Sequence, residues 1–483
     1  MNILFVSAEA VPFAKVGGMA DVIGSLPSAL RKHGIDARVI IPGYGLIEHH
    51  RYQISHLFSF DLTLHEGTAE VQVFTAVHQG VPFYFVQSWP FFGDEKAVYT
   101  GWDWDVPRFI AFNQLVMGVM WQLQERLGWF PDVCHVNDWH TGLLPFLIKQ
   151  AAEDDPAWGK VRTLLSIHNL AYQGDRVGGY LWKAGIPARN HPELVSRGLT
   201  DNTMAIAIAY SDAVTTVSPR YATEIQYAYM GVGLDDLIRT RADDLTGILN
   251  GIDDRMWDPA TDPHIHANFD SDTVLQNRQL NKRYLQRQAG LAERDDVMLI
   301  GMVSRLAWQK GFDMAIPALR HFLAGYDVQF VLLGSGDQSI EHEMWRIGKD
   351  FFWKARTYLQ FDAAVAQHIY AGSDVFLMPS HFEPCGMGQM IAMRYGSLPI
   401  VRETGGLADT VENYDDAEAD RGTGFVFLWE EADAVLGTLR WAQHTFQHRQ
   451  HAWQRMQQRA MSRDFSWSKS AMEYIRLYKN LAK

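Results

Sequence analysis

The sequence predicts an α/β protein of two doubly wound, parallel-sheet domains. Three observations predict it. Short runs rich in Val, Ile and Leu alternate with longer helix-like segments, as in successive βαβ units. Those runs are near-continuously apolar, as in strands covered on both faces. And 483 residues exceed one ordinary core, so two domains of about 200–250 residues are expected.

In the first half the expected strands are 3–8 (ILFVSA), 37–42 (ARVIIP), 81–87 (VPFYFVQ), 132–138 (DVCHVND), 162–169 (RTLLSIHN) and 213–218 (AVTTVS). In the second half they are 297–304, 328–335, 356–361, 375–380, 398–403 and the short run 424–427. Between the two sets, LTGILNGIDDRMWDPATDPH is rich in Gly, Asp and Pro, which places a hinge between Asn250 and Pro263. The expected division is therefore 1–250, 251–460 and a C-terminal helix within 461–483, which is free to join either domain, the first included. Pro27 falls inside the first expected helix and predicts a kink or break there.

Composition excludes several classes. With 47% hydrophobic and 20% charged residues the chain reads as a soluble globular protein. Its formal charge is −13 and no Lys/Arg block stands out, so neither a nucleic-acid footprint nor a polybasic membrane patch is expected. MNILFVSAEA lacks the basic start of a signal peptide, and no apolar run is long enough to span a bilayer. Two cysteines, Cys134 and Cys385, cannot make a disulfide framework, which fits a reducing cytoplasm. The 16 Trp and 18 Tyr are mostly core material, but sugar rings are also bound by stacking.

One phrase is written twice. Gly17-Gly18-Met19-Ala20-Asp21 and Gly405-Gly406-Leu407-Ala408-Asp409 each come after an expected strand and open an expected helix, one per domain. Glycine lets backbone approach a ligand, and a helix start offers unpaired N–H groups to an anion. A tight strand-to-helix turn explains each phrase equally well by itself. As a pair, they suit two domains facing each other across a cleft where strand C-termini meet.

Other polar groups cluster after strands. Lys15 precedes the first glycine pair, either solvated or held beside a phosphate. Arg305 and Lys310 follow the run VMLIGMVS, either as ordinary surface cations or as a clamp for a diphosphate leaving group. Asp138, Trp139 and His140 end one strand; His168, Asn169, Tyr172 and Gln173 end the next. His135, inside its strand, reads as a satisfied core histidine. Glu383 sits between Phe382 and Pro384, where partial burial would raise its pKa or tie it to sugar hydroxyls. Cys385 beside it has no His at a diagnostic spacing and reads as a packing or contact residue.

Several alternatives fail. Asp103-Trp104-Asp105 is weak evidence for a divalent cation, and the histidines lack ligand spacing, so no metal is expected. No Gly-x-x-x-x-Gly-Lys-Ser/Thr loop supports an ATPase. A glycoside hydrolase wants two opposed carboxylates, and only Glu383 is well placed.

KVGGMADVIGSLP, HVNDWHTG, IHNLAYQG, VTTVSPRYATEI, LNGIDDRMWDP, VSRLAWQKG, FEPCGMGQM and RYGSLPIVRETGGLADTV, in this order, resemble the bacterial and plant glycogen/starch synthases. The resemblance runs from Lys15 to Phe465-Ser466-Trp467. It implies the GT-B fold: two Rossmann-like domains, the first on the acceptor side and contributing to the donor-glucose site, the second binding the nucleotide diphosphate. It implies a retaining transfer of glucose from ADP-glucose to the non-reducing end of an α-1,4-glucan or glycogen, without cofactor or metal.

By position, Lys15 and the Gly17-Gly18 turn would approach the donor phosphate and sugar. Asp138, His168 and Asn250 would hold the transferred glucose. Arg305 and Lys310 would neutralise the diphosphate, and Glu383 would contact glucose hydroxyls. Cys385 and Gly386 would line the same wall. Gly405 and Gly406 would give backbone N–H groups to phosphate, with Thr404 beside them in the substrate-binding set. Phe361 would stack on adenine. The two glycine phrases would then be opposing walls of one donor site.

Four departures stand out. Many retaining enzymes of this fold carry a second Glu where this chain has Ile391. Thr203-Met204-Ala205-Ile206-Ala207 lacks the lysine of many synthases. Gly388 replaces a larger residue near the nucleotide, which bears on base preference. YTGWDWDVPRF (99–109) reads as an unusually Trp-rich loop, which bears on the acceptor. The rival readings are a related glucosyltransferase using UDP-glucose or another acceptor, and a non-catalytic glucan-binding homologue. Intact Lys15, Arg305, Lys310 and Glu383 argue against the second.

Overall fold

The chain divides between Gly251 and Ile252, inside the Gly/Asp/Pro-rich stretch, and again after Ser466. One unit is Met1–Gly251 together with the chain from Trp467; the other is Ile252–Ser466. The computed structural model describes residues 1–415 and 421–482.

Among the described residues the first unit holds a nine-stranded sheet. Its strands are β1 (Asn2–Val6), β2 (Asp36–Pro42), β3 (Ser55–Leu64), β4 (Gly67–His78), β5 (Val81–Gln87), β6 (Val133–Asn137), β7 (Arg162–Ile167), β8 (Ala213–Thr216) and β9 (Leu245–Gly247). They lie in the order β3-β4-β5-β2-β1-β6-β7-β8-β9. Pairing is parallel from β5 through β9, and β4 runs antiparallel to both β3 and β5. The hairpin β3–β4 is an addition to the expected strands. Its residues alternate between buried and exposed, so it covers the core on one face only.

The second unit holds a six-stranded, all-parallel sheet among the described residues. Its strands are β10 (Met298–Val303), β11 (Val328–Leu333), β12 (Ala355–Tyr358), β13 (Val375–Met378), β14 (Leu398–Arg402) and β15 (Phe425–Phe427), in the order β12-β11-β10-β13-β14-β15. Ile300, Phe330, Leu332, Leu377 and Ile400 from its strands form a buried apolar core with Phe312, Leu319, Phe322 and Leu439 from the helices.

The strand order reverses at β1/β6 in the first sheet and at β10/β13 in the second. Loops leaving the two strands at such a point diverge to opposite faces and leave a crevice at the strand C-termini.

Two expectations need correction. The helix Gly18–Lys32 runs through Pro27, which corrects the break that was one of the two outcomes expected there: Met19, Ile23, Leu26 and Leu30 are buried, and that burial outweighs the one backbone bond proline forfeits. The stretch 99–109 is largely not a loop, because the helix Trp102–Leu127 starts within it. Asp105 fixes that start by accepting from Thr100 N, Thr100 Oγ1 and Gly101 N. The helix Trp467–Leu481 packs in the first unit, where Tyr478 hydroxyl meets His135 Nδ1 at 2.7 Å and Ser470 Oγ donates to Leu249 O.

Candidate active site

In the first unit the loop after β1 carries Lys15, Gly17 and Gly18, and Glu9 organises it. Glu9 is 3% exposed. Its Oε2 accepts from Val16 N at 2.6 Å and Gly17 N at 2.8 Å, while Oε1 accepts from the Tyr99 hydroxyl at 2.5 Å. Gly17 N–H is therefore turned inward, a correction to the expectation that this turn points its amides at a phosphate. Lys15 Nζ donates to Asp21 Oδ1 at 2.7 Å and keeps half its side chain in solvent. Burial raises the Asp21 pKa against the pull of Lys15, and Glu9 adds a smaller push upward.

Asp138 follows β6 in a positive-φ conformation (53°), unusual for a side chain with a Cβ. Its Oδ1 is held by His168 N at 2.7 Å and Asn169 N at 3.4 Å, which ties the loop after β6 to the loop after β7. Burial pushes the Asp138 pKa up to about 7; those two amides pull it down, and the charge of Glu9 pushes it up again.

His168 Nε2 lies 2.9 Å from Asn137 Oδ1. Because Asn137 Nδ2 donates to Val6 O and His135 O, its Oδ1 faces His168 as an acceptor. His168 thus carries its ring proton on Nε2 and keeps a lone pair on Nδ1. Burial lowers its pKa to about 4, so that lone pair is available at neutral pH. Asn250, just beyond β9, has a buried Oδ1 with no hydrogen-bond partner among the described residues, and His140 Nδ1 is buried and open in the same way. Buried polar atoms left open in this way suit a ligand.

His135 is the satisfied core histidine its place in β6 suggests. It bonds Tyr478 and Ser166, and burial lowers its pKa to about 3.

In the second unit the loops on either side of the β10/β13 reversal meet. Lys310 Nζ donates to Glu383 Oε2 at 2.6 Å, and Ser380 Oγ donates to the same oxygen at 3.0 Å. The pair is largely buried, at 17% and 8% side-chain exposure. Gly311 follows with φ 71°, and any Cβ there would run into Pro379 O, so glycine at 311 lets the two loops approach this closely. His381 reinforces the junction: its N–H donates to Gln309 O, its ring stacks on Trp308 at 4.4 Å, and Nε2 meets Asp313 at 2.8 Å.

The second glycine phrase packs against the same loop. Gly406 N donates to Glu383 O at 3.0 Å and Pro384 O at 3.2 Å. A Cβ on Gly405 would strike Glu383 O, and one on Gly406 would strike Cys385 O. The expectation that Gly406 offers its N–H outward is corrected: that amide is used to hold the Glu383 loop. Thr404 and Cys385 are buried beside them, and Gly386 takes φ 71°.

Arg305 is exposed after β10 and forms no ion pair among the described residues. Phe361, beyond β12, is 91% exposed. Gly388 opens the helix Gly388–Arg394 against Met378, Phe376 and Tyr370, and Ile391 is buried in that helix.

Within each unit the expected residues fall after strand C-termini. Asp138 joins His168, Lys310 joins Glu383, and Gly405 and Gly406 join Glu383 and Cys385. Sequence reasoning gave no role to Glu9, Tyr99, Asp21, Ser380 and His381. Asp21 closes the repeated Gly-Gly phrase and Tyr99 opens the Trp-rich stretch, while Glu9 is an acidic residue in the Ser-Ala-Glu that ends the first apolar run.

Among the described residues no group of three or more His, Cys, Asp and Glu side chains is arranged to hold a metal ion. No helix among them is long and apolar enough to cross a membrane.

Residues 2–240 match the starch synthase catalytic domain family, and residues 286–458 match glycosyl transferases group 1. The chain is 42% identical over 484 residues to the glycogen synthase of Streptococcus gordonii, covering all of both chains. It is 41% identical over 493 residues to that of Geobacillus thermodenitrificans, covering 100% of this chain and 98% of the relative. Among solved structures, the catalytic domain of starch synthase IV from Arabidopsis thaliana, bound to ADP and acarbose, superposes with a TM-score of 0.89. It is 32% identical, with 100% of this chain and 99% of that one covered. Sucrose-phosphate synthase from Thermosynechococcus elongatus shares the fold, with a TM-score of 0.62 at 15% identity over 99% and 98% of the two chains. The fold is GT-B, and the chain belongs to the glycogen/starch synthase family of glucosyltransferases.

Proposed function

We propose that this glucosyltransferase moves glucose from ADP-glucose to the non-reducing 4-hydroxyl of an α-1,4-glucan, glycogen included, retaining the α configuration. The observation that carries the reading is the buried Lys310–Glu383 pair at the β10/β13 reversal, with exposed Arg305 on the same loop as Lys310.

The roles follow from the chemistry of the groups. Arg305 and Lys310 neutralise the diphosphate as its bond to the sugar breaks, and stabilising developing charge is the largest single contribution at many active sites. The Thr404-Gly405-Gly406 turn lies close to that diphosphate, and Phe361 stacks on the adenine. Glu383, held by Lys310 and Ser380, accepts from glucose hydroxyls, with Cys385 and Gly386 along the same wall. From the first unit, Asp138, the His168 Nδ1 lone pair and Asn250 Oδ1 take the sugar, while Lys15, Gly17 and Gly18 border its phosphate. Same-face attack, with the departing phosphate helping to deprotonate the acceptor, needs no protein nucleophile. The two cations supply the charge that a metal would otherwise bring.

ADP as donor nucleotide is supported by the bound ADP of the Arabidopsis relative, which is 32% identical. A glucan acceptor is supported by the glycogen synthase relatives and by the acarbose bound in the same structure. We place the reaction in the cytoplasm, a reading supported by cysteine usage.

The test is incorporation of label from ADP-glucose or UDP-glucose into glycogen, with and without a chelator. Strong, chelator-insensitive incorporation from ADP-glucose is expected. Incorporation from UDP-glucose alone would reassign the donor, and none from either would reject the reading.

A further inference from the structure

Away from the loops just described, the second unit carries a pocket of about 540 Å³ between the helices Val274–Gln288 and Gln450–Met461. Pockets of this size hold small metabolites. Its wall includes the buried Arg278, Lys282 and Asp374, the ring of Phe446, and the side chains of Gln279 and Gln454. Asp374 immediately precedes β13, so the pocket lies at the end of that strand opposite to Ser380 and Glu383.

The buried charges here do not cancel. Side-chain exposures of Arg278, Lys282 and Asp374 are 6%, 3% and 7%. Lys282 Nζ spends its three protons on Asp374 Oδ2 at 2.7 Å, Val297 O at 2.6 Å and Asp295 O at 3.1 Å. Arg278 Nε donates to Tyr395 O at 3.0 Å, and Nη2 donates to Ser373 O. Its Nη1 makes no hydrogen bond among the described residues, since Asp374 Oδ1 is 3.6 Å away. The other carboxylate at the pocket, Asp295, is engaged by Arg283 through Nε at 2.9 Å and through Nη2. Two buried cations thus share one buried carboxylate, which leaves one positive charge in excess. Burial pushes the Arg278 pKa down to about 10 while Asp374 pulls it up, so the guanidinium stays charged at neutral pH. A buried cation without its full counter-charge is costly.

We propose that this pocket binds a small oxyanion, inorganic phosphate or a phosphate monoester, seated on Arg278 Nη1. Guanidinium N–H groups match phosphate oxygens in geometry as well as charge. The amides of Gln279 and Gln454 can donate to the remaining oxygens or meet the hydroxyls of an ester. Charge selects this class of occupant, because a cation would face Arg278 and Lys282 with only Asp374 between them. The site is separate from the proposed diphosphate clamp, since β13 runs between Asp374 and the loop bearing Glu383.

The test is equilibrium dialysis of the full chain against radiolabelled inorganic phosphate at constant ionic strength, with and without saturating ADP. Phosphate is expected to remain bound when ADP is present. Gln454→Glu sets a carboxylate at the pocket wall and should weaken that binding about tenfold or more. Arg278→Met should abolish it. Bound phosphate should also raise Tm in the wild type, and less in either variant. Competition by glycerol phosphate separates the two sources: displacement at a lower concentration than unlabelled phosphate assigns the site to an ester, otherwise to the free anion. Complete displacement by ADP would place the anion at the diphosphate clamp and overturn the site. So would binding that Gln454→Glu leaves unchanged, or no phosphate bound at millimolar concentration. If Arg278→Met does not fold, Gln454→Glu, on a half-buried side chain, decides by the same criterion.

Discussion

Lys310 Nζ stands 2.6 Å from Glu383 Oε2. This ion pair joins the loops on the two sides of the β10/β13 reversal. A largely buried pair of this kind is weak evidence for stability, because desolvation offsets much of the attraction. Breaking it is a different matter. Lys310→Ala leaves Glu383 buried without its cation and removes charge from the proposed diphosphate site. Turnover is expected to fall about 100- to 1000-fold, with the circular dichroism spectrum of the wild type retained. Near-normal turnover in a folded Lys310→Ala protein would remove Lys310 from the mechanism.

The two glycine phrases look alike and differ in what fixes them. A Cβ on Gly17 meets only Glu9 Oε1, at 3.9 Å, and φ there is −126°. A Cβ on Gly406 strikes Cys385 O, and one on Gly405 also falls at φ 43°. Gly17→Ala should therefore change thermal stability little. Gly406→Ala should displace the loop bearing Glu383, costing about 2–4 kcal/mol and most of the activity. Urea titrations of the two variants side by side check this, and equal stability would contradict it.

What the sequence disclosed follows from how strongly each segment is buried. The central strands are buried on both faces, and their apolar runs were legible as strands throughout. The hairpin β3–β4 was not, because SHLFSFDLTL mixes buried and exposed positions at the sheet edge. The start of the helix at Trp102 was hidden by Gly101 and Pro107, and what secures it is the contact of Asp105 with Thr100 and Gly101. That Asp138 meets the His168 loop and Lys310 meets Glu383 was legible because the topology brings the ends of neighbouring strands together. Glu9, Ser380 and His381 were not, since each acts by bonding groups whose proximity only the fold creates. The outward direction of the Gly17 and Gly406 amides was misread for the same reason.

Three imidazoles in the first unit are buried neutral. Burial lowers His135 and His140 to about 3 and His168 to about 4, against an ordinary value of 6.5. As pH falls from 6.5 toward 4, the unfolded chain takes up protons that the folded chain refuses, so stability is lost. Asp138 acts oppositely. Its folded pKa of about 7 lies above the ordinary 3.8, so its contribution is greatest below 3.8 and is lost as pH rises to about 7. Three groups outweigh one. Stability should fall on the order of 1–3 kcal/mol per pH unit between pH 6 and 5, as urea unfolding would measure. A flat profile there would mean the imidazoles are not buried neutral.

Glu9 gives the last prediction, because its shape and its charge do separate things. Its shape holds Val16 N, Gly17 N and Tyr99 hydroxyl, and so fixes the loop bearing Lys15. Its charge raises the Asp138 pKa, a smaller effect than burial in the same direction. Glutamine keeps the shape: its Oε1 can accept both amides and its Nε2 can donate to the Tyr99 oxygen. Alanine keeps neither. If ionised Asp138 holds the transferred sugar, kcat/KM rises with pH through about 7 in the wild type. Glu9→Gln should move that rise to lower pH, since removing a neighbouring negative charge eases ionisation, and should leave the plateau within about threefold. Glu9→Ala should lower the plateau itself about 10- to 100-fold by releasing the Lys15 loop. A pH profile of Glu9→Gln that overlays the wild type would show that Glu9 charge does not reach Asp138. A Glu9→Ala plateau at the wild-type level would show that the loop needs no clamp.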